Sequence, residues 1–391
     1  MKVDKTKWIT KPIRSLFDLQ MGKTPSRKSL ELWENGNTPW VSISDMNGIK
    51  YISSTKEMLP LATIIQCNIP VIPAGIVIMS FKLTIGKTCI ANVPLTTNEA
   101  IMAFYPKKEV QIDNSFLCYA LSAIKWKGNR AVKGLTINKK TISQKEMSLP
   151  CLTEQQAIAS ELDAIQTMID GYKAQLEDLD ALAQSIFLDM FGDPVSNPKG
   201  WKKFPLKELA LKISTGPFGS MLHKEDYDIE GVPSINPQDI KGNKISVENI
   251  ALVNHNKAKE LNRYILHTND IVIARRGDLS KCAIITQSEN GWLCGTGSFS
   301  LSLKNLIPIL FYYLYTSKSV QKYLNDKCIG ATMPNLNQGI LASLKLPLPP
   351  LSLQQQFASK IEAFEKQKEL IKSQLADAET LMAERMQYYF S

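Results

Sequence analysis

Two Gly-Lys-Thr triplets, at 22–24 and 86–88, are the first residues whose types suggest chemistry, because a glycine loop followed by lysine and threonine can cradle phosphate and magnesium. Such a loop also needs a glycine five residues before the Gly-Lys pair, where this chain has Phe17 and Phe81, so nucleotide binding is not expected there. Asp239-Ile240-Lys241 has the form of the end of a nuclease D/E-x-K signature, but its counterpart Asp45-Met46-Asn47 lacks the lysine. A solvated turn is the expectation at both places. His223, His255 and His267 show no paired metal-ligand spacing, and the seven cysteines form no CxxC pair, so no metal site is expected and the thiols are read as reduced and buried. There is no Asn/Asp-Pro-Pro-aromatic methylation motif and no G-x-S-x-G elbow. The chain is therefore expected to be non-catalytic and to bind no cofactor of its own.

What remains is a set of polar, glycine-punctuated, basic loops. "MGKTPSRKS" (21–29) offers Lys23, Thr24, Ser26 and Arg27, and "STGPFGSMLHK" (214–224) offers Ser214, Thr215 and Ser220. "SFKLTIGK" (80–87) and "ARRGDLSK" (274–281) follow apolar runs and offer Lys82, Lys87, Arg275, Arg276 and Lys281. Lysine and arginine grip phosphates or read guanine edges, and hydroxyls do either, so these twelve residues are the candidate DNA contacts. The charge agrees. The net +9 resolves into +11 over residues 1–150, −7 over 151–191, +6 over 201–349 and −1 over 350–391. Positive charge sits on two long segments, as expected if they face a polyanion.

The elements that hold those loops are announced by a repeat. "LPCLTEQQAIASELDAI" (149–165) and "LPPLSLQQQFASKIEAF" (348–364) share eight of seventeen positions at a separation of 199 residues. From Ile158 the apolar residues follow an unbroken 4-3 spacing, which predicts a coiled-coil seam through Ile158, Leu162, Ile165, Ile169, Leu176, Leu179 and Ile186. The second copy continues it through Phe357, Ile361, Phe364, Ile371, Leu375 and Met382, with Lys368 and Arg385 expected to weaken it locally. Thr153 and Ser352 are read as the N-caps of helices about 57 Å long. A single-striped helix of that length is unstable alone, so the two copies are expected to bury their stripes against each other. The linker 192–200 is too short to travel back along a rod of that length, which makes the two helices antiparallel.

The long segments repeat too. "WITKPIRSL" (8–16) matches "WKKFPLKEL" (201–209), "TPWVSISDMNG" (38–48) matches "VPSINPQDIKG" (232–242), "GIVIMSFK" (75–82) matches "DIVIARRG" (270–277), and "GKTCI" (86–90) matches "SKCAI" (280–284). Short β-branched runs with helices near 115–126 and 309–325 predict α/β heads. The fold class read from these features is two α/β (α+β) globular heads joined by two long antiparallel α-helices in a coiled coil, with a pseudo-two-fold internal repeat. The N-terminus lacks an apolar h-region and no apolar stretch approaches the ~20 residues of a membrane helix, so the cytosol is expected.

The head-helix-head-helix order, the "LPxLxxQQ" start of each helix, the "MGKTPSR…NGNTPWVSISDM" opening and "DIVIARRG" together resemble the DNA-specificity subunits of bacterial type I restriction-modification systems, over essentially the whole chain. The resemblance implies target-recognition domains at 1–150 and 201–349, long helices at 151–191 and 350–391, and a linker at 192–200. Each domain would read one half of a bipartite double-stranded DNA target while the helices set the spacer and dock two methyltransferase (modification) subunits. Restriction/translocase subunits would join them, and S-adenosylmethionine, ATP and Mg2+ would belong to those partners. One departure is that "SFKLTIGK" lacks the Arg-Gly of "ARRGDLSK". The competing expectation is a coiled-coil scaffold with two protein-binding heads and no sequence preference on DNA; a self-sufficient nuclease or methyltransferase is disfavoured by the missing motifs.

Overall fold

The computed structural model describes residues 3–126, 129–131, 134–218, 221–328 and 335–391. The chain divides into two compact units, Met1–Lys173 with Lys372–Ser391, and Ala174–Ile371.

In the first unit an antiparallel sheet runs Phe17–Met21, Ile101–Pro106, Val77–Ser80 and Thr88–Ala91, with Tyr51–Ile52 added parallel at the edge. Alternation along these strands sends Val77, Met79, Met102 and Phe104 to one face, where they meet Phe116 and Leu121 of the helix Asn114–Ala123 and Ile158 and Leu162 of the first long helix. Ile78, Ile101 and Ala103 go to the other face and pack on Val41, Met46, Ile52 and Leu95. There a second sheet, Glu57–Leu59, Thr38–Val41 and Thr96–Thr97, covers the first.

The second unit repeats the plan. Ala210–Thr215, Ser298–Leu303, Ile271–Ala274 and Cys282–Ile284 form its central sheet, and Tyr227–Asp228, Ala251–Val253, Val232–Ile235 and Leu293–Cys294 form the second. Each head is closed by a two-stranded ladder next to a long helix, Ile9–Pro12 with Glu146–Leu149 and Lys203–Pro205 with Lys345–Pro347. The helix expected near 309–325 is two helices, Pro308–Thr316 and Lys318–Lys327. Ser317 between them has an extended backbone, and its hydroxyl caps the second by accepting from Val320 N–H.

The long helices run Leu152–Phe191 and Leu351–Phe390, forty residues each and about 60 Å long. Thr153 and Ser352 lie inside their first turns and are not caps: the Cys151 and Pro350 carbonyls accept the first intrahelical bonds, from Gln155 and Gln354 N–H. All thirteen seam residues named from the sequence are buried or half-buried. Within the first unit the two helices are antiparallel, with Glu161 beside Arg385 (2.9 Å) and Lys173 beside Glu379 (3.3 Å). Within the second, Asp180 meets Lys368, and Phe187 and Phe191 meet Phe357. Lys368 and Arg385 do not interrupt the packing. Burial would pull the Lys368 ammonium down, but its hydrogen bonds to Asp180 and Glu365 outweigh that and hold it above the usual lysine value. The paired cation thus fills a seam position with its stem and keeps its charge.

The repeated Gln-Gln explains why the same segment is written twice. Gln155 is 1% exposed; it accepts from Asp113 N–H (2.9 Å) and donates to the Gln111 (3.2 Å) and Pro150 (2.9 Å) carbonyls. Gln354, also 1% exposed, accepts from Ile307 N–H (2.9 Å) and donates to the Asn305 (3.1 Å) and Pro349 (2.9 Å) carbonyls. One buried amide in each copy ties the first turn of a long helix to the loop that enters a head helix, and it satisfies three backbone groups there, the Pro150 or Pro349 carbonyl being the buried one.

Candidate nucleic-acid interface

The candidate contacts gather where the central sheet ends. In the first unit Gly22 N–H donates to the Ile101 carbonyl and Lys23 N–H to the Thr97 carbonyl, which lays the 22–29 loop against residues 97–99. A Cβ on Gly22 would lie 2.1 Å from the Thr97 hydroxyl oxygen and 2.3 Å from its carbonyl oxygen, so only glycine permits this approach. In the second unit Gly216 N–H donates to the Ser298 carbonyl, and a Cβ there would lie 1.8 Å from the Gly295 carbonyl oxygen. The same glycine holds the same corner in both heads.

Backbone bonding settles how the heads correspond. Phe81 N–H donates to the Ala100 carbonyl and Arg275 N–H to the Gly297 carbonyl; Ser80 N–H reaches the Lys87 carbonyl and Ala274 N–H the Lys281 carbonyl. The match of "GIVIMSFK" to "DIVIARRG" read from the sequence is therefore one residue out of register. Phe81 corresponds to Arg275, Lys82 to Arg276 and Lys87 to Lys281. A one-residue slip exchanges the two faces of a strand, and only the pairing with Ile101–Pro106 and Ser298–Leu303 specifies the correct one. In this register the departure noted in "SFKLTIGK" narrows to one residue: both heads have a cation one residue past the strand's last inter-strand bond, Lys82 and Arg276, but Leu83 stands where the second head has Gly277.

A groove of about 470 Å³ in the first unit is lined by Ser42, Ser44, Lys82, Leu83, Asn98, Glu99 and Thr136. Thr24 donates to Glu99, and Glu99 also feels Lys82 and Arg27. The structure thus brings Thr24, Arg27 and Lys82 together around one carboxylate. Lys23 lies close by, donating to the Cys67 carbonyl (2.6 Å). Ser26 is exposed, and its carbonyl accepts from Trp33 Nε1 (3.2 Å). Lys87 is set apart: it bonds the Asn47 side-chain carbonyl and lines a different groove, of about 520 Å³, that runs along the first long helix past Gln166 and Asp170.

Arg27 is committed elsewhere. Its guanidinium makes a bidentate pair with Glu57 and lies 3.7 Å from the Trp33 ring centroid and 4.8 Å from that of Trp40. Its charge is offset by Glu57, so it acts as a clip holding the 22–33 loop to the second sheet. The Arg27 hydrogen bond holds the Glu57 carboxyl below its usual 4.5 against the opposing effect of partial burial. A depressed carboxylate stabilises the fold above its unfolded value and loses that contribution as pH falls through the folded one. Below pH 4.5 the clip should therefore open, read as a change in Trp33/Trp40 fluorescence. Glu57→Gln should remove this step from the titration; an identical profile in that variant would show that the clip does not carry it.

In the second unit Ser214 and Thr215 are half-buried strand residues opposite Ser300 and Phe299, so they present less surface than loop residues would. Ser220 lies outside the described residues. Lys281 donates to the Pro237 carbonyl (2.8 Å). Arg275 is half-exposed and Arg276 exposed, and among the described residues neither guanidinium has an acidic partner. Lys23, Lys87 and Lys281 bond neutral acceptors, and Lys281 also lies near the buried Asp239 carboxyl.

Reading the sequence alone misses the supports of these loops. Ser42 with Asp45, and Asn236 with Asp239, form matched capping boxes, the carboxylate accepting from Ser42 N–H (2.9 Å) and Asn236 N–H (2.8 Å). Asp239 is buried, not solvated; burial pushes its carboxyl up despite the Asn236 N–H. Six residues after the first residue of each box stands Gly48 or Gly242, both at positive φ, and two residues later a lysine that reaches a long helix. Lys50 pairs with Asp163, which also accepts from Tyr119 OH (2.7 Å), and Lys244 pairs with Glu369 (2.7 Å) and Glu365 (3.8 Å). Ser42, Asn98, Leu83 and Asn236 belong to the edge and were not named from the sequence, although the Ser-x-x-Asp and Asn-x-x-Asp signatures were visible. Among the described residues no His/Cys/Asp/Glu group could hold a metal ion. Burial pushes the Cys89 and Cys118 thiols up to about 12, which makes them packing groups; Cys151, expected buried, is exposed.

A family model described as the type I restriction modification DNA specificity domain matches residues 5–180 and again 198–380. The specificity subunit of the type I restriction enzyme MjaIX of Methanocaldococcus jannaschii is 23% identical over 383 residues, covering 92% of this chain and 87% of that one. The S subunit of a type I restriction-modification system from M. genitalium superposes with TM-score 0.56 at 16% identity, covering 99% of this chain and 97% of its own. A chain from a structure on complex assembly and conformational transition of the type I R-M system gives TM-score 0.60 at 16% identity over 100% and 99%. At these identities the two structures show a shared fold.

Proposed function

The chain belongs to the family of type I restriction-modification DNA specificity domains, and from that premise we propose that its two heads each read one half of a split double-stranded DNA target. It is a non-catalytic specificity subunit that confers DNA sequence preference on a restriction-modification complex. The observation that carries the two-headed reading is one edge built twice, with Gly22 and Gly216 at the corner and Lys82 and Arg276 past the strand; Lys87 and Lys281 take equivalent places at the end of the turn, where the Lys87 side chain turns to a separate groove. Lysines bonded to neutral acceptors supply salt-sensitive phosphate affinity, and Arg276, which has no acidic partner among the described residues, supplies guanine reading or a bidentate phosphate grip. The paired long helices set the unspecified spacer and dock two methyltransferase subunits, to which restriction/translocase subunits are added. S-adenosylmethionine, ATP and Mg2+ act in those partners, in the cytoplasm of a bacterium or archaeon.

The test is Lys82→Ala and Arg276→Ala, assayed on the target duplex across a salt series. Each should weaken binding by about tenfold, the effect of one charged contact, and relax preference only in the half-site read by its own head. Unchanged affinity and preference in both variants would remove this edge from the interface. Equal binding of the parent chain to any sequence would favour the scaffold reading.

A further inference from the structure

Seven non-glycine residues have positive φ among the described residues, and six are asparagines, which tolerate that region. The seventh is Leu83, at φ 63°. In the register set by backbone bonding its counterpart is Gly277, at φ 75°, so the second head meets the same demand with the residue that pays no steric cost. Leu83 is held in this conformation from several sides. The fully buried Ser80 accepts from Lys87 N–H through its hydroxyl oxygen (3.1 Å) and donates to the Thr84 carbonyl, Gly86 N–H closes the turn on the Ser80 carbonyl (2.9 Å), and residues 82–83 pair with 135–136.

The side chain so held is 53% exposed and faces the groove lined by Ser42, Ser44, Lys82, Asn98, Glu99 and Thr136, the Glu99 carboxylate being taken up by Thr24. An unfavourable backbone that displays an apolar group among hydroxyls, a cation and a carboxylate already bonded by Thr24, at the edge proposed for DNA, points to a functional position. The apolar feature of the major groove is the thymine C5-methyl group, and apolar side chains read it by contact. We propose that Leu83 is a specificity-determining residue of the first head, placed against a thymine C5-methyl in the half-site that this head reads. The inference rests on the half-site reading above.

The test replaces each thymine of the target duplex in turn by deoxyuridine, which deletes only that methyl group, and measures binding by the full-length chain and by Leu83→Gly. One thymine of one half-site should lose about four-fold in affinity for the parent chain, the equilibrium effect of one methyl group returned to water, and should make no difference to Leu83→Gly. Leu83→Met, which keeps an apolar side chain there, should retain the thymine-to-uracil difference. Glycine relieves the backbone, so Leu83→Gly should unfold at no lower temperature than the parent, which separates lost reading from lost folding. No methyl-dependent position, or the same dependence in Leu83→Gly, would overturn the role of Leu83. A parent chain with no sequence preference would instead overturn the reading on which it rests.

Discussion

Gln354→Ala should lower the stability of the second unit by about 2–3 kcal/mol, because it leaves the buried Pro349 carbonyl and the part-buried Ile307 N–H without their partner, at about 1–3 kcal/mol for a fully buried group. The amide, itself 1% exposed, serves Ile307 N–H and the Asn305 and Pro349 carbonyls, and the Pro349 bond is the one shut off from solvent. Packing contributes as well, since the next turn of the helix buries Phe357 against Phe191 (ring centroids 5.3 Å apart) and Tyr313 (5.2 Å). Gln354→Glu separates the two effects: it preserves shape but turns a carboxylate oxygen toward two carbonyls, so it should destabilise as well. Urea unfolding followed by far-UV circular dichroism reads both. A Gln354→Ala midpoint equal to that of the parent would show that the clip does not hold the helix to the head.

Exchange of residues 201–349 for the equivalent segment of a relative with a different target should change one half of the recognised sequence completely and leave the other half and the spacer unaltered. The expectation follows from where the cores lie. The central sheet of the second unit packs on its own helices, with Ile273, Phe299 and Leu301 against Leu310 and Leu314, and the second sheet packs through Ile235 and Val272. A transplanted head would carry most of this core and the 203–205/345–347 ladder with it, and would need to fit Phe187, Phe191 and Phe357 of the long helices, which share that core, and to reproduce the attachments made by Gln354 and the Lys244 pair. Methylation of a plasmid library by the reconstituted complex reads the outcome. Alteration of both halves would refute independent reading.

The long helices were legible because a 4-3 spacing held from 158 to 190 has one geometric meaning, and the partial polar positions Lys368 and Arg385 were masked only in that their acids, Asp180 and Glu161, lie on the other helix. The strand register was not legible. "GIVIM" and "DIVIA" are apolar throughout, so either face could be the inner one, and the choice is made by a partner strand more than twenty residues away. The paired glutamines stood out as identical, yet their role was hidden because two of the three groups that Gln155 and Gln354 each satisfy lie more than forty residues upstream. Arg27 read as a surface cation for the same reason: Glu57, Trp33 and Trp40 enclose it only in the fold. The glycines at 22 and 216 were visible as punctuation, while the close approach that requires them appears only once Thr97 and Gly295 are in place.

The most direct test of the central claim is a map of methylated bases across a host genome that carries the partner methyltransferase subunits, made with and without this gene. Loss of methylation at one split motif, two short defined halves around an unspecified spacer, is the result expected of a two-headed specificity subunit. A map that stays the same when the gene is removed, with those methyltransferase subunits present and active, would contradict it.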